Sequence, residues 1–366
     1  MKIVIISKNC YPTLGPRAHR TTELAKELAR RGYKVIVYAL LGDYDYSKIS
    51  NETGVEFKNL GISKLGVADN TGYYNKKLWA KATRKLFAKW IEVPNIELMS
   101  LVKKALKREN HIDYLITIAH PHTIHWGAAR FLKKNKKSVK FWVADCGDPF
   151  MKDPYNYRPA YFSNFEKSWG NICDYISVPV ETAKYAYFKE FREKIRVIPQ
   201  GFQLDNLKLA DYSVNRIKTF AFAGNVYPGL RDPSAFLEYL CDLEMDFKFV
   251  VYTKKNAIFK KYKNRLGNKL EIRDYVPRAK LLYQLSKMDF LINIKNISSV
   301  QQPSKLIDYA LTKRPVLEIT SQFAELKTFN KFLQEDYTNQ FIFKNIDNYD
   351  IKNVTNQFLK LYNSQS

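Results

Sequence analysis

Short runs of consecutive apolar residues alternate along this chain with stretches in which apolar residues return every third or fourth position. That alternation predicts buried parallel strands separated by amphipathic helices. Ile3–Ile6 is the first such run. A loop rich in Gly and Pro follows, Tyr11-Pro12-Thr13-Leu14-Gly15-Pro16. Thr21 or Thr22 is then placed to cap a helix reaching about Arg31, with Glu23 in its first turn and Leu24 and Leu28 in its apolar stripe. Gly32 ends that helix, and Lys34–Tyr38 reads as the next strand. Tyr114–Ile118, Lys140–Ala144, Tyr175–Val178 and Ile195–Ile198 continue the array. The pattern restarts at Thr219–Ala223, with Phe247–Tyr252, Leu270–Arg273, Phe290–Ile294 and Val316–Ile319 after it. The expected class is α/β: two doubly wound domains facing a cleft at their strand C-terminal ends. Their limits are set at 1–200 and 217–345, joined by a polar linker over 201–216. A helix within 346–366, centred on Ile351–Tyr362, is placed to pack back toward the N-terminal domain. No solenoid-period repeat and no low-complexity tract interrupts this.

The chain's 366 residues, 46% apolar, exceed one comfortable core and exclude a disordered polymer. No apolar run is long enough to span a bilayer. Met1–Ser7 lacks the long apolar region and small-residue cleavage site of a secretory leader, so a cytoplasmic protein is expected. Cys10, Cys146, Cys173 and Cys241 show no Cys-x-x-Cys spacing and no histidines near them in sequence, so they read as free thiols, and no metal site is expected. The net charge of +24 points to an anionic partner: phosphate-bearing small molecules, lipid headgroups or nucleic acid. Against nucleic acid, no helix-turn-helix, RNP-type or zinc motif is present. Neither first-strand loop reads Gly-x-Gly-x-x-Gly, which removes a dinucleotide dehydrogenase.

Four segments carry candidate chemistry. In Gln302-Pro303-Ser304-Lys305-Leu306-Ile307-Asp308, Pro303 suits a first helical position. The free amides around Ser304 and Lys305 then form a ready anion site for a diphosphate. Asp308, one turn on, can accept both hydroxyls of a ribose. In Phe222-Ala223-Gly224-Asn225-Val226-Tyr227-Pro228-Gly229-Leu230-Arg231, a strand runs into a glycine loop and then a guanidinium able to grip two phosphate oxygens. Arg17 and Arg20 lie in the loop after the first strand and can meet phosphate or an anionic acceptor. His120-Pro121-His122-Thr123-Ile124-His125 concentrates three of the five histidines in one loop. Nearby, Asp145 and Asp148 end the following strand, with carboxylates that can bind acceptor hydroxyls.

On these residues the chain resembles the GT-B glycosyltransferases, which pair two Rossmann-like domains, and within them the retaining family 4 type, over nearly its whole length. The resemblance implies that a nucleotide-sugar donor is bound by Gly15, Gly224, Asn225, Arg231, Gln302, Ser304, Lys305 and Asp308. Asp308 takes the ribose role in that register. The family's other acidic position falls on Val300, with Gln301 or Gln302 beside it. Asn225 stands where the family has an arginine, and Arg278 or Lys305 is the candidate to supply the missing cation. His120 first, and His122 second, are implied to face the transferred sugar, while His125 lies on the helix that follows. The family's usual mechanism needs neither a protein nucleophile nor a metal: the diphosphate oxygen that leaves takes the acceptor's proton. The same family habit implies a glycan or lipid-linked acceptor and bacterial surface-polysaccharide assembly. A nucleotide-sugar epimerase on the same fold and a basic nucleic-acid-binding protein are the alternatives.

Two further segments bear on partners. Asp43-Tyr44-Asp45 has the Asp-x-Asp spacing of metal-dependent transferases of another fold, but it follows the second strand and reads as an exposed acidic loop. Lys76–Ile91 is basic and Trp-bearing. On a helical wheel Leu78, Trp79, Ala82, Leu86 and Trp90 share one side, and Lys77, Lys81, Arg84 and Lys85 the other. That pattern fits an interfacial helix on the anionic inner face of a plasma membrane, or equally a helix packed on the sheet.

Overall fold

The computed structural model describes the chain apart from residues 73–86, 88–89, 154–155, 206, 228, 230, 296–304 and 365–366, and the side chain of residue 305. It divides into two compact units, Met1–Gln203 with Asp347–Ser366, and Leu204–Ile346.

The first unit is built on seven parallel strands: β1 (Lys2–Ser7), β2 (Lys34–Ala39), β3 (Glu56–Asn59), β4 (Ile112–Ala119), β5 (Val139–Cys146), β6 (Tyr175–Val178) and β7 (Ile195–Val197). Their order across the sheet is β3-β2-β1-β4-β5-β6-β7. Helices α1 (Pro16–Arg30), α2 (Ser47–Thr53), α3 (Glu97–Leu106), α4 (Thr123–Leu132) and α5 (Phe162–Gly170) are the described helices that connect them. Successive β1 side chains enter opposite cores. Ile3 and Ile5 join Leu24, Val37 and Phe141 on one face, and Val4 and Ile6 join Leu98, Ile124 and Trp142 on the other. That double burial explains the unbroken apolar runs in the sequence.

The second unit holds β8 (Lys218–Ala223), β9 (Phe247–Tyr252), β10 (Leu270–Arg273), β11 (Phe290–Ile294) and β12 (Val316–Ile319), ordered β10-β9-β8-β11-β12 and all parallel. Its described helices are α6 (Ser234–Asp242), α7 (Ala257–Leu266), α8 (Arg278–Leu285), α9 (Lys305–Leu311) and α10 (Leu326–Leu333). Its core is unusually rich in phenylalanine: Phe220 stacks on Phe290 at 4.9 Å, with Phe236, Phe249 and Phe329 edge-on or stacked around them.

The last helix, α11 (Ile351–Asn363), belongs to the first unit. Ile351, Val354, Phe358 and Leu361 are buried in the same core as Ile3 and Ile5. Each such side chain contributes about 1.5–3 kcal/mol by leaving water. The Tyr114 hydroxyl donates to the Phe358 carbonyl at 3.1 Å, and Arg31 donates to the Lys352 carbonyl at 2.8 Å. Phe202 and Ile351 are tied by backbone bonds, Phe202 N to Tyr349 O at 2.7 Å and Ile351 N to Phe202 O at 2.8 Å.

Three expectations need correction. The first helix begins at Pro16, with Gly15 as its cap, rather than at Thr21 or Thr22. The two threonine hydroxyls instead donate back to the carbonyls of Arg17 and Ala18, both at 2.8 Å, so they lie inside the helix. The edge strand β3 was not foreseen, because Glu56–Asn59 alternates weakly and one side faces solvent. Much of 201–216 is seated on the second unit: Ala210 N donates to Ser286, and the Tyr212 hydroxyl and Asn215 N both donate to Asp289.

Candidate functional site

Each sheet has one place where the strand order reverses, and in doubly wound folds ligands bind outside the strand C-termini there. In the first unit it lies between β1 and β4, and in the second between β8 and β11. The loops leaving these strands are the Gly15 and His120 loops in one unit, and the Gly224–Arg231 loop in the other.

In the second unit β8 ends at Ala223, and Gly224 turns away with φ 143°, a conformation that favours glycine. Gly224 N donates to Tyr252 O at 2.9 Å, and Ala223 N donates to the Tyr309 hydroxyl at 2.7 Å. Asn225 follows, and the Arg231 guanidinium donates to its carbonyl at 3.4 Å. Paired backbone bonds between Tyr227 and Arg231 make the loop a small hairpin that returns Arg231 toward the strand end. Asp308, on α9, accepts from Arg278 Nε at 2.7 Å. Both side chains are partly exposed, 28% for Arg278 and 17% for Asp308. Crowding raises the Asp308 carboxyl above its ordinary pKa, and Arg278 opposes that shift. Arg231 and Asp308 both act electrostatically on the buried Tyr309 hydroxyl, so they share one neighbourhood. The sequence points Arg278 to phosphate and Asp308 to ribose; in the structure the two hold each other. Gln302 and Ser304, together with Pro303, Val300 and Gln301, lie outside the described residues, as does the side chain of Lys305.

Sequence reasoning missed Lys255 and Tyr309. The Lys255 ammonium sits 4.0 Å from the Tyr227 ring centre, which puts a further cation on the glycine hairpin. Its signal was available: Lys254 and Lys255 follow one residue after the C-terminal end of the strand Phe247–Tyr252. Tyr309 carried no such signal, since its hydroxyl finds Ala223 only through tertiary packing.

In the first unit Gly15 opens α1 with extended backbone and no atoms near where a side chain would project. Arg17 reaches Asp145 at 3.2 Å and Gln200 at 3.1 Å. Its guanidinium packs on Gly147, where a Cβ would lie 2.6 Å from Arg17 Cζ, so a larger residue there would displace the guanidinium. Burial lowers the Arg17 pKa, and Asp145 works against that. Arg20 and Asp145 are each 2% exposed and joined at 2.9 Å. Arg20 also donates to the carbonyls of Pro199 and Ile198 and lies over the Phe358 ring, while Ser177 donates to Asp145 at 2.7 Å. The expectation that Arg20 and Asp145 contact an acceptor is therefore corrected. Their charges face each other inside the unit and brace the ends of β5, β6 and β7. Arg17 and Asp148 remain partly exposed beside them.

The histidines separate. His120 is exposed at the end of β4, yet enough protein surrounds it to lower its pKa, a burial effect that Asp148 opposes. His122 is buried, and its Nε2 donates to the Asp148 carbonyl at 3.0 Å. Burial holds its pKa well below the ordinary value. A role for His122 at the sugar is corrected accordingly. His125 is also buried, its pKa pushed down by burial to about 3, with Nδ1 2.7 Å from Thr117 Oγ1 and Nε2 3.4 Å from Cys146 Sγ. Cys146 has no histidine near it in sequence and meets His125 because strand pairing sets Ala119 beside Cys146.

Asp43, Tyr44 and Asp45 are exposed, and both Asp45 oxygens accept from Ser47, so that carboxylate fixes a turn. Most of the 76–91 segment lies outside the described residues. Within it Phe87, Trp90 and Ile91 are described and exposed. No helix of the described residues is long and apolar enough to cross a membrane.

No family model matches the chain, and no curated protein matches it. Solved structures do. A glycosyltransferase from Rickettsia africae superposes with TM-score 0.65 at 12% identity, over 99% of this chain and 98% of that one. Anabaena HepE in complex with UDP gives 0.65 at 11% identity over the whole of both chains. A UDP-GlcNAc 2-epimerase from Neisseria meningitidis gives 0.58 at 12% identity, also over the whole of both. With two parallel sheets of matching design, the chain has the GT-B fold.

Proposed function

We propose that the protein is a glycosyltransferase that takes a sugar from a nucleoside diphosphate donor. The observation that carries this is the cluster on the second unit. Gly224, Arg231, Arg278 and Asp308 gather near the strand-order reversal, with Lys255 from the loop after β9 against Tyr227, and a pyrophosphate and a ribose need cations, open backbone and one carboxylate there. The fold shared with Anabaena HepE, solved with UDP, supports the same assignment. Ligand binding would open the Arg278–Asp308 pair, freeing the guanidinium for phosphate and the carboxylate for ribose.

On this reading the first unit serves the acceptor through Arg17 and Asp148, while His120 faces the transferred sugar and the Gly15 turn serves the donor. The acceptor oxygen attacks the anomeric carbon as the bond to the β-phosphate breaks. That attack comes from the face the diphosphate leaves, so configuration is retained, and the departing diphosphate oxygen takes the acceptor's proton with no metal in the step. The acceptor is a glycan or lipid-linked glycan of a bacterial surface polymer, reached at the inner face of the plasma membrane. Two observations support the membrane site: the exposed Phe87, Trp90 and Ile91, and a surface pocket of about 280 Å³ lined by Lys103, Lys104, Lys107 and Arg130 on α3 and α4.

Calorimetric titration with a panel of nucleoside diphosphates tests the assignment. One diphosphate is expected to bind with a clear preference over the others, and its nucleotide-sugar to yield free diphosphate only when an acceptor is added. Binding of none overturns the proposal. Conversion of the nucleotide-sugar to its C2 epimer without an acceptor would favour the epimerase reading.

A further inference from the structure

Beneath His120 lies a group of buried side chains that the transfer reaction does not use. His122, His125 and Cys146 are at most 1% exposed. One donor atom from each lies within 4.8 Å of the others. The ring orientations matter more than the distances. A carbonyl can only accept, so the Asp148 carbonyl fixes the hydrogen of neutral His122 on Nε2 and leaves a bare lone pair on Nδ1. That Nδ1 is buried and has no partner. On His125 the far nitrogen, Nδ1, is held at Thr117 Oγ1, and the near one, Nε2, is turned to the Cys146 sulfur at 3.4 Å. His122 is thus held by its outer nitrogen and offers the lone pair of its inner one, and the His125 tautomer with its hydrogen on Nδ1, donated to Thr117, offers Nε2 in the same way, as metal-binding histidines do. Trp169, 4.9 Å from the His125 ring and 6.2 Å from the His122 ring, closes the surroundings with apolar surface. Glu166 Oε1, fully buried and also without a partner, is close enough to act on the Cys146 thiol.

The geometry points to a structural metal site in which His122 Nδ1, His125 Nε2 and Cys146 Sγ hold a borderline-soft divalent transition ion, zinc above all. Two imidazoles and a thiolate suit that ion class and disfavour Mg²⁺ or Ca²⁺. Zinc–nitrogen and zinc–sulfur bonds of about 2.0–2.3 Å would bring the donors to about 3.5 Å apart, a small closure of the present spacing. Cys146 loses its proton to solvent as the sulfur–metal bond forms, and the Glu166 carboxylate lies where it can balance the remaining positive charge. The ion would tie the end of β5 to the start of α4, the two elements that flank the His120 loop. It would be taken up as the unit folds, because none of the three ligands reaches solvent.

The test uses the full chain, unfolded in the presence of a chelator and refolded with one equivalent of Co²⁺ or Zn²⁺. Co²⁺ is expected to give a thiolate-to-metal charge-transfer band that Zn²⁺ abolishes. The chain should retain about one Zn²⁺ against a competing chelator, and Cys146→Ala and His122→Phe should retain less than a tenth of that at unchanged far-ultraviolet circular dichroism. X-ray absorption on the wild-type zinc protein reads the ligands without any substitution, so a variant that fails to fold does not block the test. One sulfur with two imidazoles supports the site. A refolded wild type that takes up no metal, or a bound ion with no sulfur neighbour, overturns it.

Discussion

Arg20→Met tests whether the Arg20–Asp145 pair holds the first unit together. Methionine keeps most of the aliphatic volume and removes the charge. Lost with the guanidinium are two bonds to Asp145, at 2.9 and 3.3 Å, the donations to the Pro199 and Ile198 carbonyls, and the contact with Phe358. Removing one member of a buried ion pair costs about 3–5 kcal/mol, since the other charge stays behind in the interior. Asp145 keeps Arg17 and Ser177, which places the expected loss near the lower bound, about 3 kcal/mol. All five tryptophans, Trp79, Trp90, Trp126, Trp142 and Trp169, fall in the first unit, so fluorescence during urea unfolding reports on that unit alone. With a urea slope of about 3 kcal/mol per molar, the midpoint should fall by about 1 M and the slope should stay constant. A fall of less than about 0.3 M, combined with lost acceptor binding, would refute the structural assignment and return Arg20 to the acceptor.

Four other outcomes are expected. Asp308→Ala should weaken nucleoside diphosphate binding about 10- to 100-fold by calorimetry, from the loss of charge-assisted bonds to ribose, and leave the circular dichroism unchanged. Glu109 accepts from Lys2, Tyr38 and Lys58, and these bonds outweigh burial to hold its pKa at about 2. Because its folded pKa is depressed, its stabilisation is complete above the ordinary carboxyl range and fades as pH falls toward that value. Allowing for lysines that are 24% and 35% exposed, urea midpoints should report about 1–2 kcal/mol lost in that window, and Glu109→Gln should flatten the dependence. Tyr309→Phe strips the buried Ala223 amide of its acceptor, so its hydrogen exchange should quicken about tenfold or more with α9 still formed. Wild type should float with anionic liposomes, and a triple variant Lys81→Glu, Arg84→Glu, Lys85→Glu should not; equal flotation removes the membrane reading.

The fold was legible because both sheets are parallel and covered on two faces, so each central strand left an unbroken apolar run, as at Ile3–Ile6 and Phe290–Ile294. Glu56–Asn59 left none, being an edge. The site was legible to the level of loops. Arg231 and Asp308 could be placed from their distance to strand ends, because connectivity alone brings those ends together. Which charged residue faces a ligand and which faces a neighbour was not legible. Arg17 and Arg20 stand three positions apart on one helix and both reach Asp145, yet Arg17 keeps solvent contact while Arg20 also meets the Ile198 and Pro199 carbonyls inside. That choice depends on residues more than a hundred positions away, and the meeting of His125 with Cys146, 21 positions apart, depends on the pairing of β4 with β5. Periodicity carries no such information.

The placement of α11 also has a consequence for how the molecule is made. The second unit is threaded into the first, so Val354 and Phe358 leave the ribosome after every residue of 204–346 has done so. Vectorial synthesis ordinarily lets the earlier body finish first. Here the later one can complete its core while the earlier still has a gap beside Ile3, Leu24 and Phe141. A chain ending at 346 and released from the ribosome would therefore show protease protection over 204–346 and not over 1–203. Until α11 arrives, the open face of the older half is where a chaperone would bind.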